Sequence, residues 1–344
     1  MMQKRIGKEK KKIINKILKI IRENRTFFIS SHMRPDGDSI GAQLALSSFL
    51  RRLGKDVYIA NRDPVPAVYQ FLPHSSDIHV AEKVERNFDV AFILDCSDLQ
   101  RIGNIIDLKN RVRTVINMDH HPDCELFGDY NYVQPQASSV AEELYDLFKQ
   151  SHWEIVEEEV LALYVGILTD TGRFQEANTT PRCHEIVAEL IKKGISPQVV
   201  SQKVYESRSG PGLRLLSLTL GTLEITAGGK IAHLSITQEM YKKTGAREED
   251  TEGFVNFARD VEGVEAGILF RETDVGDQFR VSFRSKGRID VSKIARLFGG
   301  GGHRNAAGCT IQGTMEEVKR RMLNAVSQEV DNTGTTKERH SQRC

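Results

Sequence analysis

The chain has 344 residues, more than one compact core usually takes, so two domains are expected, each with material for its own core. Lys and Arg total 48 against 47 Asp and Glu, a formal charge of +1, which argues against a long basic stripe for duplex nucleic acid while leaving room for a local basic groove. Five scattered cysteines, odd in number and without a C-x-x-C pair, fit a reducing cytoplasm and speak against a zinc knuckle or a disulfide framework.

Near the start, Ile13, Ile14, Ile17, Leu18 and Ile21 recur at helical spacing and predict a helix docked on the body. A membrane-surface helix would need a basic polar face that this stretch only partly supplies. The basic opening lacks the apolar core and cleavage site of a secretory signal, and no segment has the roughly 18 to 20 unbroken apolar residues of a membrane span. From residue 26 to about 120, short β-branched runs (TFFIS, DVYIAN, DVAFILD, VRTVINMD) alternate with amphipathic stretches, predicting an α/β domain whose parallel sheet carries helices on both faces. Residues 137 to 200 read as helices, one opened by Thr180 and Pro181 and closed by Gly194. SRSGPG breaks the periodicity at 207–212 and is expected to be a linker.

Beyond it, hairpins around AGGK and DVGD are followed by two helical segments, the second with Thr314 and Glu317 at capping-box spacing. This predicts a smaller α+β domain. The expected boundaries are 12–206, 213–328 and a polar, disordered tail at 329–344.

Acidic residues sit at strand ends. His32, Asp36 and Asp38 follow the first run, Asp95 ends VAFIL, and Asp119, His120 and His121 follow TVIN. Loops at the carboxyl ends of neighbouring parallel strands converge on one crevice. A single Asp there is most often a helix cap, but three caps would not also supply two adjacent histidines. Crowded carboxylates repel unless cations lie among them. Oxygen donors with a few imidazoles favour Mn²⁺ or Mg²⁺, and the surplus of carboxylates suggests two ions, suited to in-line displacement at phosphorus. Asp170, where an apolar helix meets a Thr-Gly turn, is a costly place for an unpartnered carboxylate and joins the candidates. In the second domain GGGGHRNAAG places Gly300, Gly301, Gly302, His303 and Asn305 between a helix and a strand; the run suits close backbone approach to an anion, the alternative being a tight turn. Arg284 and Ser285 end a strand nearby and could pair with a phosphate.

SHMRPDGDSIG, ILDCSD, MDHH and ILTDTGRF, in that order, resemble the four motifs of the DHH phosphoesterase superfamily, and FRSK with GGGGHRNAAG resembles its C-terminal DHH-associated domain. The resemblance covers roughly 14–328, and the compact length is similar to the oligoribonuclease and phosphoadenosine-phosphatase members called nanoRNases. It implies hydrolysis of RNAs of two to five nucleotides, and of 3′-phosphoadenosine 5′-phosphate, with two divalent ions, Mn²⁺ first and Mg²⁺ or Co²⁺ as alternatives. Carried over by motif, His32, Asp36 and Asp95 hold one ion, and Asp38, Asp95, His120 and Asp170 the other. Asp119 orients His120, His121 faces the scissile phosphate, and Arg284, Ser285, the glycine loop, His303 and Asn305 grip the substrate end, over which the second domain closes. Members often carry Asn shortly after DHH, where this chain has Cys124 and Glu125.

The resemblance further implies short single-stranded RNA or small nucleotides as partners and, at most weakly, a homodimer, while the balanced charge and the short apolar runs speak against a long duplex and a membrane. A cyclic-di-AMP or pApA phosphodiesterase would use the same machinery. A catalytically inactive nucleotide-binding module is the non-enzyme alternative, and it would show itself by a missing ligand.

Overall fold

The protein is described by a computed structural model covering residues 2–226 and 228–341, with side chains for 7–226, 228–302 and 304–330. It divides into two compact units, Met1–Ser207 and Arg208–Cys344.

The first unit runs α1 (Met2–Glu23), β1 (Thr26–Ser30), α2 (Gly37–Arg52), β2 (Asp56–Asn61), β3 (Ile78–Val80), β4 (Phe88–Leu94), α3 (Leu108–Arg111), β5 (Val112–Asp119), β6 (Tyr130–Val133), α4 (Val140–Ser151), α5 (Glu157–Asp170), α6 (Pro181–Lys192) and α7 (Pro197–Tyr205). Its six strands pair in parallel in the order β3-β2-β1-β4-β5-β6. The order reverses at β1, which lies between β2 and β4, and such a switch point opens a crevice beyond the strands' carboxyl ends. Strands β1 and β4 are almost continuously apolar because both their faces are covered. On one face α2 packs against β1, β4 and α5, and is itself buried nearly all round. A Cβ on Gly41 would come within 2.4 Å of the Ala162 carbonyl, so glycine is what lets α2 and α5 meet. The other face is covered more thinly, by Ile102, Ile105, Ile106 and Leu108 from turns and the single-turn α3. The stripe of Ile14, Ile17, Leu18 and Ile21 is buried in the main core, and α1 packs on α4 and β6.

The second unit contains α8 (Gly210–Leu220), β7 (Glu224–Thr226), β8 (Ile231–Ile236), α9 (Gln238–Thr244), α10 (Phe254–Arg259), β9 (Ala266–Glu272), β10 (Gln278–Ser285), α11 (Val291–Leu297), β11 (Gly301–His303), β12 (Ala306–Gln312) and α12 (Met315–Ser341). Its sheet order is β11-β12-β10-β9-β8-β7, antiparallel except for the β8–β9 pair. Helices α11 and α12 pack on the face carrying Phe279, Val281 and Phe283. Helices α8 and α10 contribute to the core around Leu234 and Leu269.

Two expectations are corrected. SRSGPG is no free linker: Ser209 caps α8, its Oγ accepting from the Gly212 N–H at 2.9 Å, with Pro211 in the first turn, where a missing N–H costs nothing. The expected tail is helical to Ser341, the backbone ladder of α12 meeting no proline along its length. The capping box at its start is formed, with the Glu317 N–H donating to Thr314 Oγ1 at 3.3 Å and the Thr314 N–H to Glu317 Oε2 at 3.0 Å. Among the described residues no helix is long and apolar enough to cross a membrane.

Candidate metal centre and substrate-binding residues

Beyond β1, His32 Nδ1 bonds the Met33 carbonyl at 2.8 Å, which turns Nε2 toward Asp95 Oδ2 at 3.5 Å and Asp36 Oδ2 at 3.8 Å. Asp36 serves two purposes. Its Oδ1 caps α2, accepting from the Asp38 and Ser39 N–H groups at 3.1 and 3.0 Å, while the Ser39 hydroxyl reciprocates on the Asp36 N–H. The other oxygen faces the cluster, so the cap and the ligand reading of this aspartate hold together.

Asp95 ends β4 with a left-handed φ of 55°, a strained conformation that Asp tolerates better than most residues and that clusters at functional sites. Its two oxygens face different ways. Oδ2 meets His32, and Oδ1 lies 3.7 Å from both His120 Nε2 and His121 Nδ1. His120 Nε2 also lies 3.4 Å from Asp170 Oδ2 at the end of α5. Two sets of donor atoms therefore gather within 4.8 Å, His32 with Asp36 and Asp95, and Asp95 with His120 and His121. Asp95 belongs to both.

The electrostatics fit divalent cations. Burial opposes ionisation of Asp95, yet the bonds and charge of His32, with the charge of His121 and His120, hold it well below the usual carboxylate range. Burial lowers the His32 imidazole, but the Asp36 and Asp95 carboxylates outweigh it and raise it to about 10. Asp38 and Asp170 are both pushed well above their ordinary range, first by burial and then by the charge of Asp95. One fixed anion, two acids driven toward neutrality and a cationic imidazole form a conflict that cations held by oxygen and nitrogen donors would relieve.

Asp119 Oδ1 takes the His121 ring at Nδ1, 2.6 Å away, and the backbone N–H groups of His120 and His121 at 2.8 and 3.2 Å. Asp119 thus orients His121 where the motif led to His120, because its carboxylate reaches forward along the tight turn after β5. Cys124, in the place of the family's Asn, approaches Asp119 and accepts from Asn117 Nδ2 at 3.3 Å, its thiol pushed up by burial. Asp38 gives both oxygens to the start of α4, accepting from the Val140 and Ala141 N–H groups at 2.7 and 3.0 Å. Like Asp170 it lies in neither donor set, but Asp170 keeps Oδ2 3.4 Å from His120 whereas both Asp38 oxygens are taken.

In the second unit, Arg284 and Ser285 are neighbours on β10 and so point to opposite faces. Arg284 is half-buried on the face away from the aromatic core, while Ser285 is buried, donating to the Ile289 carbonyl at 2.8 Å and to Asn305 Oδ1 at 3.3 Å. A shared grip on one phosphate is corrected for Ser285, whose hydroxyl holds the turn carrying Asn305.

The glycine run is an edge strand with a tight hairpin. Gly299 (φ 73°) closes α11, and β11 pairs with β12 through Gly301↔Gly308 and His303↔Ala306. A Cβ on Gly300 would meet the Gly308 carbonyl at 2.1 Å and one on Gly302 the Ala306 carbonyl at 2.4 Å, whereas one on Gly301 meets nothing within 4 Å. Two of the four glycines are thus required by packing against β12, and Gly301 faces open space. The His303 side chain lies outside the described residues.

Two residues escaped the sequence reading. Asn178 Nδ2 donates to Asp170 Oδ2 at 3.0 Å, the Asp170 carbonyl at 3.1 Å and the Ser138 carbonyl at 2.8 Å, clamping the carboxylate beside His120. Glu143, fully buried on α4, accepts from the Gln134 N–H at 3.1 Å and is pushed well above its usual range by burial and then by Asp119. A polar residue in a turn and an acid in an amphipathic helix carry no distinguishing pattern.

A parallel sheet with acids and histidines at its switch point, followed by a mixed α+β unit, defines a class, and family comparison agrees. Family models described as the DHH family, N-terminal domain, and the DHHA1 domain match residues 26–167 and 228–332. The chain belongs to the DHH phosphoesterase family. It is 33% identical over 329 residues to the bifunctional oligoribonuclease and PAP phosphatase NrnA of Thermus thermophilus, covering 95% of this chain and 96% of that one. The protein of the same name from Bacillus subtilis is 29% identical, covering 83% and 89%. A crystal structure of an exopolyphosphatase-related protein from Bacteroides fragilis superposes with a TM-score of 0.87 at 29% identity, covering 94% and 97%.

Proposed function

We propose that this chain is a two-metal-ion phosphoesterase that hydrolyses RNAs of two to five nucleotides to mononucleotides and dephosphorylates 3′-phosphoadenosine 5′-phosphate in the cytoplasm. The observation that carries the reading is the sharing of Asp95 between two donor sets at the switch point. The names of the full-length relatives, oligoribonuclease and PAP phosphatase, support the substrate class.

His32, Asp36 and Asp95 would hold one ion, and Asp95, His120 and Asp170 the other, with Mn²⁺ suited to mixed carboxylate and imidazole donors. Ions so held would supply an activated water at neutral pH and neutralisation of charge for in-line displacement at phosphorus. The chain's own groups supply the rest. Asp119 fixes the His121 ring, as a group that meets the phosphate requires. Asp38 ties α2 to the start of α4, and Asn178 keeps the Asp170 carboxylate turned to His120, as outer partners of metal ligands do. In the second unit, Arg284 and the Gly301 edge would take the terminal phosphate of the substrate, the guanidinium through paired hydrogen bonds.

The test is hydrolysis of a 5′-phosphorylated dinucleotide and of 3′-phosphoadenosine 5′-phosphate with Mn²⁺ and with EDTA. Release of nucleoside monophosphates that EDTA abolishes is expected. EDTA-resistant turnover, or none of either substrate, contradicts the reading.

A further inference from the structure

Helix α1 uses only one of its faces in the fold. Ile14, Ile17, Leu18 and Ile21 are at most 5% exposed, and Lys10 pairs with Asp146 on the docked side. The opposite face carries Lys8, Lys12, Lys16 and Lys19 at spacings of four, four and three residues, all exposed, with Lys11 and Arg22 on its flank. At 1.5 Å per residue, Lys8 to Lys19 form a row about 16 Å long. Residues 7–23 hold seven cations and two carboxylates, a net of +5 in a chain whose total is +1. The near-zero total therefore conceals a polarised surface. The ion pair of Lys19 with Glu23 at 3.7 Å on this face joins two largely exposed groups and is worth little in water.

What lies on that face chooses the partner. Among the described residues, none of the exposed large hydrophobic side chains is in α1. Interfacial membrane helices bind by burying an apolar face, and the apolar face of α1 is already spent in the core. Protein interfaces centre on aromatic or aliphatic anchors, and the described residues of α1 offer none. A straight row of separated ammonium groups without an anchor matches a partner whose affinity is almost entirely ionic, which is the phosphate backbone of a nucleic acid. We propose that the solvent face of α1 is a docking surface for single-stranded RNA longer than the hydrolysed substrates, holding such RNA by its backbone without regard to sequence. The surface is independent of the metal site and of the reading given for it.

The test is fluorescence anisotropy of a labelled 24-nucleotide single-stranded RNA with the full chain, in EDTA so that no turnover intervenes, from 50 to 200 mM KCl. A variant carrying K8Q, K12Q, K16Q and K19Q should bind at least about tenfold more weakly. The slope of log affinity against log salt should fall by about 3, since each single-strand phosphate contact contributes about 0.7. Melting temperature and dinucleotide hydrolysis with Mn²⁺ should not change, because none of the four lysines lies in the core or in the metal centre. Equal affinity and slope for the two proteins would overturn the proposal, as would an absence of RNA binding at 50 mM KCl. Lysine-dependent binding to phosphatidylserine vesicles without RNA binding would overturn it in favour of a membrane.

Discussion

The rim of the first unit and the glycine hairpin of the second place functional groups in opposite ways. At the rim, most charged side chains are buried, Asp36 being the exposed one, each tied to a backbone group or a second side chain, and the centre rests on Asp95 in a strained conformation. In the hairpin the close packing is all backbone, and what is left open is the Gly301 edge. Chemistry at phosphorus needs charges held apart from water, so every neighbour matters. The proposed grip on a terminal phosphate would need only reachable donors, and two of the four glycines are required by packing instead.

The comparison breaks most sharply at Asp95. Asp95→Ala removes the one carboxylate common to both donor sets, and a loss of at least about 1,000-fold in kcat is expected with the melting temperature unchanged or raised, since buried repulsion is relieved. Retained turnover would sink the shared-ligand reading.

The hairpin is sharpened by a pair of substitutions. Gly300→Ala drives a Cβ into the Gly308 carbonyl and should cost about 1–3 kcal/mol in chemical denaturation. Gly301→Ala meets open space, so stability should hold while KM for the dinucleotide rises several-fold with kcat kept. Equal effects of the two on stability would mean that the Gly301 edge is not open.

Asn178→Ala should weaken Mn²⁺ binding, read by calorimetry, by about 10- to 100-fold, the usual scale for an outer partner of a metal ligand. KM for substrate at saturating Mn²⁺ should hardly move.

The smallest effect is in protons. His32, raised to about 10, carries a proton at pH 7 in the metal-free protein, and Asp170 is raised as well, so Mn²⁺ binding at pH 7 should release protons and weaken as pH falls. Calorimetry in buffers of different ionisation enthalpy reads that release. In the metal-free protein the His32 contribution to stability is complete below its ordinary 6.5 and is lost as pH rises through about 10. Its melting temperature should therefore decline over that window unless other groups compensate.

Much of this was legible in the sequence because strand periodicity and strand-end chemistry are local. The runs TFFIS and VAFIL, followed by His32, Asp36 and Asp95, foretell both a parallel sheet and a crevice, and the cap formed by Thr180 and Pro181 lies where the pattern puts it. What remained hidden depends on contacts across the fold. Asp119 could face either histidine until the turn after β5 was built. Ser285 and Arg284 look like a pair in sequence and are parted by strand alternation. Asn178 matters only because its loop returns to Asp170, and SRSGPG proved a helix start because Ser209 finds the Gly212 N–H. The basic face of α1 was invisible in the total charge.

The central claim, metal-dependent hydrolysis confined to very short RNA, is tested most directly by offering a 5′-phosphorylated dinucleotide and a 24-nucleotide RNA together with Mn²⁺. Consumption of the dinucleotide with the 24-mer nearly untouched is predicted. Preferential degradation of the 24-mer would contradict it, leaving a phosphoesterase whose second unit does not select short chains.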